Sequence, residues 1–146
     1  MKKGKKRIVC TVFLVLNLCF IWGNSLLPAQ ISGAISLWLK GAIHQFFPGI
    51  AIGAPATGDH LLRKIAHFSE FTCLGLLFSF RFRLWKKPVL WALPCGVCSA
   101  AIDECIQIFV PGRGPGVKDV AIDSGGVLLG FLLSLLLIWL FSRRKT

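Results

Sequence analysis

The chain has 146 residues, of which 55% are hydrophobic, and a formal net charge of +11. Its mean hydropathy of +0.71 excludes a soluble globular protein and predicts an integral membrane protein with a single domain, residues 1–146. The positive charge does not indicate nucleic-acid binding, because the basic residues flank apolar segments, where they orient a protein in a membrane.

Four apolar segments are each long enough to cross a membrane as an α-helix. Each has about 20 residues, which span about 30 Å of hydrocarbon at about 1.5 Å per residue. Hydrocarbon offers no partners to backbone groups, and the segments lack the alternation of a β-barrel. We therefore predict an all-α polytopic bundle with transmembrane spans at residues 8–27, 61–82, 88–110 and 120–141.

Basic residues collect on one side of the membrane if the four spans alternate in direction. They precede span one, surround the connection between spans two and three, and follow span four: Lys2, Lys3, Lys5, Lys6, Arg7; Arg81, Arg83, Lys86, Lys87; Arg143, Arg144, Lys145. This positive-inside pattern predicts that both termini lie in the cytoplasm. Membrane lipids are the first expected partners.

The long connection between spans one and two, residues 28–60, lies outside the cell in this topology. Its apolar residues recur mostly three or four apart: Ile31, Ile35, Trp38, Leu39, Ala42, Ile43 and Phe46. This periodicity predicts an extracytoplasmic interfacial helix, followed after Pro48 by a flexible return. The segment can equally pack on the bundle as a lid, and the sequence leaves both arrangements open.

The six cysteines all fall inside the predicted spans, so disulfides are not expected. Cys95 and Cys98 have the spacing of a redox or metal motif. Their small apolar neighbours favour simple packing instead.

Polar and ionisable residues gather in the outer half of the last three spans. The candidate functional cluster consists of Lys64, His67, Glu70, Asp103, Glu104, Gln107, Arg113, Asp119 and Asp123. At about 1.5 Å per residue, Asp103 and Glu104 lie about 9 to 11 Å below the outer surface, and Glu70 about 13 Å. An unpaired charge at that depth is costly, so these side chains must meet one another or a wet cavity.

Helical spacing places several of these residues on common faces. Asp103 and Gln107 are one turn apart on span three, and Asp119 and Asp123 are one turn apart on span four. Glu104 is rotated by about 100° from Asp103, so the two carboxylates need not share a partner. Asp119 is expected in the first turn of its helix, where a carboxylate caps free N–H groups.

The simplest network pairs Lys64, His67 and Arg113 with these acids. One interpretation is a polar network that only holds the bundle together, at about 0.6 kcal/mol per contact. The number of ionisable groups at one depth favours a functional site instead. On span four, Gly126 and Gly130 form a GxxxG pattern that predicts close packing against another helix.

Three segments, in order, resemble the motifs of one family. RKIAHFSEF (63–71), DECIQIFVPGR (103–113) and DVAIDSGGVLLG (119–130) are similar to the K-x-x-H-F, D-E-x-x-Q-x-x-x-x-x-R and D-x-x-x-(D/N)-x-x-G patterns of the VanZ-like family of bacterial membrane proteins. NSLLP after span one is similar to the family's Ser-Pro-containing segment. The resemblance implies an α-helical protein of the bacterial cell membrane, related to a founding member that confers low-level teicoplanin resistance.

Two departures from the family patterns bear on the site. Asp123 stands where members often carry Asn, so a charge at this position is not a family-wide feature. After Arg113, GPGVKD replaces the Ser-rich turn that is usual in relatives.

The first functional hypothesis is binding at the outer leaflet, without a cofactor. Lys64, Arg113 and His67 would meet an anionic headgroup, such as that of a lipid-linked wall precursor or of an acylated lipoglycopeptide like teicoplanin. By binding such a molecule within the leaflet, the protein would interfere with the drug and lower susceptibility to teicoplanin-type drugs. The ligand, the oligomeric state and the drug phenotype all remain open at this point.

The second hypothesis is an intramembrane enzyme that acts on a lipid-linked cell-envelope substrate. His67, Glu70, Asp103 and Glu104 can serve as general acid and base, or hold a divalent metal together with Asp119 and Asp123. No strong metal-binding spacing occurs, and no activated Ser or Cys nucleophile is evident, so we expect no metal and favour binding over catalysis. Ion coupling through the buried acids is a third, weaker hypothesis, because four spans are few for a transporter.

Overall fold

The computed structural model describes residues 2–46, 58–114 and 116–143. Five α-helices follow one another: α1 (Lys2–Ser25), α2 (Ala29–Phe46), α3 (Gly58–Leu84), α4 (Ala92–Ile108) and α5 (Val117–Arg143). A short 3-10 helix, Val89–Trp91, leads into α4. The described ranges contain no strand, which confirms the all-α prediction. The flexible return predicted after Pro48 lies outside the described residues.

Three segments of the described chain are long and apolar enough to cross a membrane. They are Gly4–Ser25 in α1, Val89–Ile108 at α4, and Val117–Arg143, which is α5. This agrees with a multi-pass membrane protein. α3 corresponds to the predicted span 61–82 and is long enough at 27 residues, but it is not among the three. The first half of α3 contains Arg63, Lys64, His67 and Glu70, which lower its hydropathy.

α3 is the central helix and contacts each of the other four. Its most extensive contact is with α5, where glycines let the two backbones approach. A Cβ on Gly126 would come within 2.5 Å of the Phe68 carbonyl oxygen, and a Cβ on Gly130 would overlap the Thr72 carbonyl oxygen. The glycine pattern on α5 therefore packs against α3.

The apolar core lies between α1, α3, α4 and α5. Ile21, Phe71, Leu74, Ala100 and Val127 are completely buried there. In contrast, most large apolar side chains of α1 and α5 face outward. Such a surface would be costly in water, whereas lipid chains solvate it. All six cysteines are free thiols, as their positions in the spans predict.

α2 is the helix that the apolar periodicity predicts between spans one and two. Most of its residues are exposed, and Ser36 is its one buried residue. The helix packs on α3. At the same end of the bundle, the turn between α4 and α5 is flanked by Phe109 and Val117, which are 85% and 87% exposed.

Candidate functional site

A cavity of about 420 Å³ opens at the end of the bundle where α4 ends and α3 and α5 begin. The first half of α2 and the turn between α4 and α5 complete its wall. Seven of the nine residues in the predicted cluster line it: Lys64, His67, Glu104, Gln107, Arg113, Asp119 and Asp123. The two others, Glu70 and Asp103, are not among its lining residues. The structure therefore brings most of the predicted cluster to one cavity.

Asp103 is completely buried and connects three helices. Its Oδ2 accepts a hydrogen bond of 2.7 Å from Ser25 Oγ at the end of α1. The same oxygen accepts a bond of 3.0 Å from Gln107 Nε2, one turn along α4. Asp103 Oδ1 is buried without a hydrogen-bond partner. One oxygen of this carboxylate is thus held firmly and the other is left available.

Glu104 follows Asp103 directly and faces a different partner, as the rotation of about 100° between neighbouring helical positions predicts. Its Oε2 accepts a hydrogen bond of 2.9 Å from the backbone N–H of Gly116, just before α5. Gln107 Nε2 lies 3.5 Å from its Oε1. Glu104 is only 6% exposed and ties the end of α4 to the start of α5.

Arg113, in the turn after α4, donates to backbone carbonyls rather than to a carboxylate. Its Nη2 lies 2.9 Å from the carbonyl oxygen of Asn24, and its Nε lies 3.2 Å from that of Leu27. Burial and the nearby Arg63 lower the pKa of Arg113, but a guanidinium stays protonated at neutral pH. Arg113 therefore fastens the turn to the carbonyl end of α1.

Lys64 and Asp119 form an ion pair at the rim of the cavity, with 2.9 Å between Nζ and Oδ1. Their side chains are 44% and 32% exposed. An exposed pair of this kind contributes at most about 1 kcal/mol to stability. Asp119 lies in the first turn of α5, where the sequence predicts it.

His67, Asp103 and Asp123 meet at the inner end of the site. His67 Nδ1 is 3.9 Å from Asp103 Oδ2, and one ligand atom from each of the three residues lies within 4.8 Å of the other two. Asp103 and Asp123 are buried, and the His67 side chain is 13% exposed. The group combines one imidazole and two carboxylates from three different helices.

Glu70 lies away from the cavity lining, one turn along α3 from His67. Its Oε1 accepts a hydrogen bond of 3.0 Å from Asn24 Nδ2, and its Oε2 is buried without a partner. This contact joins the middle of α3 to the end of α1. The position suits a supporting role better than contact with a ligand.

Four polar residues of the site are absent from the predicted cluster: Asn24, Ser25, Ser36 and Arg63. Ser36 and Arg63 line the cavity, while Asn24 and Ser25 bind Glu70 and Asp103 from the end of α1. The polar NS pair that ends the first span, within the NSLLP segment, is the signal that could have identified Asn24 and Ser25. Arg63 adjoins Lys64 at the start of the first motif segment.

Comparison with known proteins places these features in one family. A protein-family model described as VanZ/LLP1 matches residues 8–140. The match covers nearly the whole chain and includes every residue of the cavity. This agrees with the resemblance carried by the three motif segments. No curated protein and no solved structure matches the chain.

Proposed function

The chain belongs to the VanZ/LLP1 family, and on that premise we propose that it is a four-span protein of the bacterial cell membrane that binds an anionic headgroup in its polar cavity. The headgroup is that of a lipid-linked cell-envelope molecule or of an acylated lipoglycopeptide. Binding lowers susceptibility to drugs of the teicoplanin type. α3 is the fourth span, α2 lies at the outer surface, and both termini are cytoplasmic.

Two contacts support a bundle whose spans alternate in direction. Lys64 near the start of α3 pairs with Asp119 at the start of α5, and Arg113 beyond the end of α4 reaches Asn24 at the end of α1. α3 also contacts all three apolar spans, and its His67 side chain is only 13% exposed. Buried among helices, a segment with charged residues is tolerated in a membrane.

The convergence of seven cluster residues on one cavity carries the binding proposal. Three basic side chains line it: Arg63, Lys64 and Arg113. Arg and Lys are the side chains that bind phosphate and carboxylate groups. A cluster of ionisable residues around a cavity within the membrane is better explained by a ligand than by packing alone. A lipid-linked molecule or an acylated drug reaches such a cavity from within the leaflet.

The inhibitory concentration of teicoplanin tests this proposal in a susceptible Gram-positive host, with vancomycin as the control drug without an acyl tail. Cells that express the wild type should tolerate more teicoplanin but no more vancomycin. Lys64→Ala should lose this protection. Lys118→Ala is the matched control, because Lys118 is an exposed lysine of the same end that does not line the cavity. Equal protection by both variants, at matched membrane levels, would contradict a role for the cavity.

A second candidate is an intramembrane enzyme acting on a lipid-linked envelope substrate. The observation that favours it is the pair formed by His67 and Asp103, with 3.9 Å between Nδ1 and Oδ2, beside Glu104 in the same cavity. An imidazole beside a buried carboxylate is a suitable general base, and a neighbouring carboxyl is a suitable acid. Purified protein should then convert a lipid-linked wall precursor to a released headgroup product, and His67→Gln should abolish the conversion.

A further inference from the structure

We propose that His67, Asp103 and Asp123 bind one divalent transition-metal cation, Zn²⁺ or Mn²⁺, at the inner end of the cavity. This inference deepens the proposed function, and it rests on that function only for the role that it gives to the cation. Two features support the site itself: the geometry of the three side chains, and buried atoms that lack hydrogen-bond partners.

The three side chains have a geometry that suits a single metal ion. They come from α3, α4 and α5, and one donor atom of each lies within 4.8 Å of the other two. Zn²⁺ binds nitrogen and oxygen ligands at about 2.0–2.2 Å, which brings tetrahedral ligands to about 3.4 Å from one another. The three donor atoms are therefore close to the spacing that a bound ion requires.

Two buried atoms of this group also lack hydrogen-bond partners. Asp103 is completely buried, and its Oδ1 accepts no hydrogen bond. His67 Nδ1 is also buried without a hydrogen-bond partner. Buried polar atoms are nearly always satisfied, and each exception calls for an explanation. A cation at the centre of the group supplies the missing partner to both atoms.

Asp123 is the third member of the group, and it is only 2% exposed. A carboxylate buried to this extent is unfavourable unless it is paired or coordinates a metal. A cation shared with His67 and Asp103 meets this requirement.

The cation would also connect the site to ligand binding. A divalent ion that is held by three protein ligands would offer a Lewis-acidic centre to the oxygens of a headgroup in the cavity.

The donor set also indicates which cations fit. Imidazole suits Zn²⁺ and other transition metals, whereas Ca²⁺ and Mg²⁺ prefer sites made only of oxygen. Three protein ligands leave at least one coordination position for an incoming group, as in catalytic rather than structural zinc sites. Ser25 and Gln107 donate hydrogen bonds to Oδ2 of Asp103, and they thereby orient the carboxylate whose Oδ1 would face the ion.

Metal content of the purified full-length protein tests the site. The protein in detergent is treated with a chelator, equilibrated with Zn²⁺ or Mn²⁺, passed over a desalting column and analysed by inductively coupled plasma mass spectrometry. We expect about one ion per chain, in line with a single three-ligand site. A wild type that holds only a trace of either metal would overturn the proposal.

Asp123→Asn is the decisive variant, because it keeps the shape of the side chain and removes the charge of one carboxylate ligand. It should bind the metal at least about tenfold more weakly. Removing a residue that only supports a metal ligand already lowers metal affinity by about 10- to 100-fold, and removing a ligand should lower it at least as much. Asp119→Asn, at the rim, and Cys95→Ser with Cys98→Ser are controls that should bind like the wild type. Equal binding by Asp123→Asn would contradict the assignment.

Asp103→Asn gives a second route if Asp123→Asn does not accumulate. Co²⁺ replaces Zn²⁺ in these experiments, because its visible absorption reports nitrogen and oxygen ligands directly. The spectrum should be lost in either variant.

A purified protein that binds the ion while cells gain no protection would overturn the proposed function and keep the site. Protection without metal binding would overturn the site and keep the function.

Discussion

Ser25, the last residue of α1, donates a hydrogen bond of 2.7 Å to the carboxylate of Asp103 on α4, and both residues are completely buried. The first span is therefore part of the polar site, although no residue of the predicted cluster lies on it. Because Asp103 has no contact with solvent, this hydroxyl and the Gln107 amide determine how its carboxylate is oriented.

Replacing Ser25 should destabilise the protein. Ser25→Ala leaves Gln107 as the remaining donor to Asp103 Oδ2, and a buried acceptor that loses a donor costs about 1–2 kcal/mol. Thermal or denaturant unfolding in detergent measures the loss. Ser69→Ala is the control, because Ser69 is exposed and bonds only to the Ala66 carbonyl of its own helix. Equal unfolding free energies for the two variants would show that the Ser25 contact contributes nothing.

A methyl group added at Gly126 of α5 should push α5 away from α3, whereas a methyl group added at the neighbouring Gly125 should not. Gly126→Ala would bring a Cβ to 2.5 Å from the Phe68 carbonyl oxygen and 3.2 Å from the Thr72 nitrogen. Such overpacking costs about 1–3 kcal/mol. Gly125→Ala, one residue earlier, would meet only Phe68 Cε2, at 3.6 Å, which is ordinary contact. The yield and melting temperature should fall for Gly126→Ala alone, and a matching fall for Gly125→Ala would contradict the packing.

Arg113→Lys and Lys64→Arg should have different effects on the stability of the protein. Arg113 donates from two nitrogens to two carbonyl oxygens, a geometry that a lysine ammonium does not reproduce, so Arg113→Lys should lower stability by about 1–2 kcal/mol. Lys64 forms a simple ion pair at the rim, so Lys64→Arg should leave the unfolding free energy nearly unchanged. Hydrogen exchange of residues 110–116 should accelerate in Arg113→Lys only.

The four-span topology can be checked by thiol labelling in a cysteine-free background. Gly41 on α2 and Lys87 after α3 are both exposed, and the position of Gly41 has open space around it. If α3 crosses the membrane, a membrane-impermeant maleimide should label Gly41→Cys in intact cells and Lys87→Cys only after permeabilisation. Labelling of both residues from the same side would show that α3 does not cross.

The helices could be predicted from the sequence, but not their ends. Hydropathy marks the apolar run that begins near Ile8, while α1 begins at Lys2 because lysine and arginine continue a helix well. At the other end, α4 stops at Ile108, shortly before Pro111, although the predicted span continues to residue 110. Hydropathy reports the thickness of the hydrocarbon, whereas helix ends depend on propensity and on proline.

The candidate site was predictable where a polar residue interrupts an apolar segment of the sequence. Glu104 and Asp123 stand out in a sequence because apolar residues surround them. Ser25 does not, since a serine at the end of a span can equally face water, and only the packing of α1 on α4 brings it to Asp103. The partners of Arg113 are backbone carbonyls, which leave no pattern in a sequence.

Phe109 and Val117, almost fully exposed on either side of the α4–α5 turn, would affect how the proposed ligand reaches the cavity. Apolar side chains at the end of a transmembrane bundle favour lipid over water, so these two would hold the mouth of the cavity at the level of the headgroups. Under the proposed function, a ligand with an acyl or isoprenoid tail would then arrive by lateral diffusion in the leaflet. Its occupancy would depend on the mole fraction of the ligand among the surrounding lipids and not on its concentration in bulk solution.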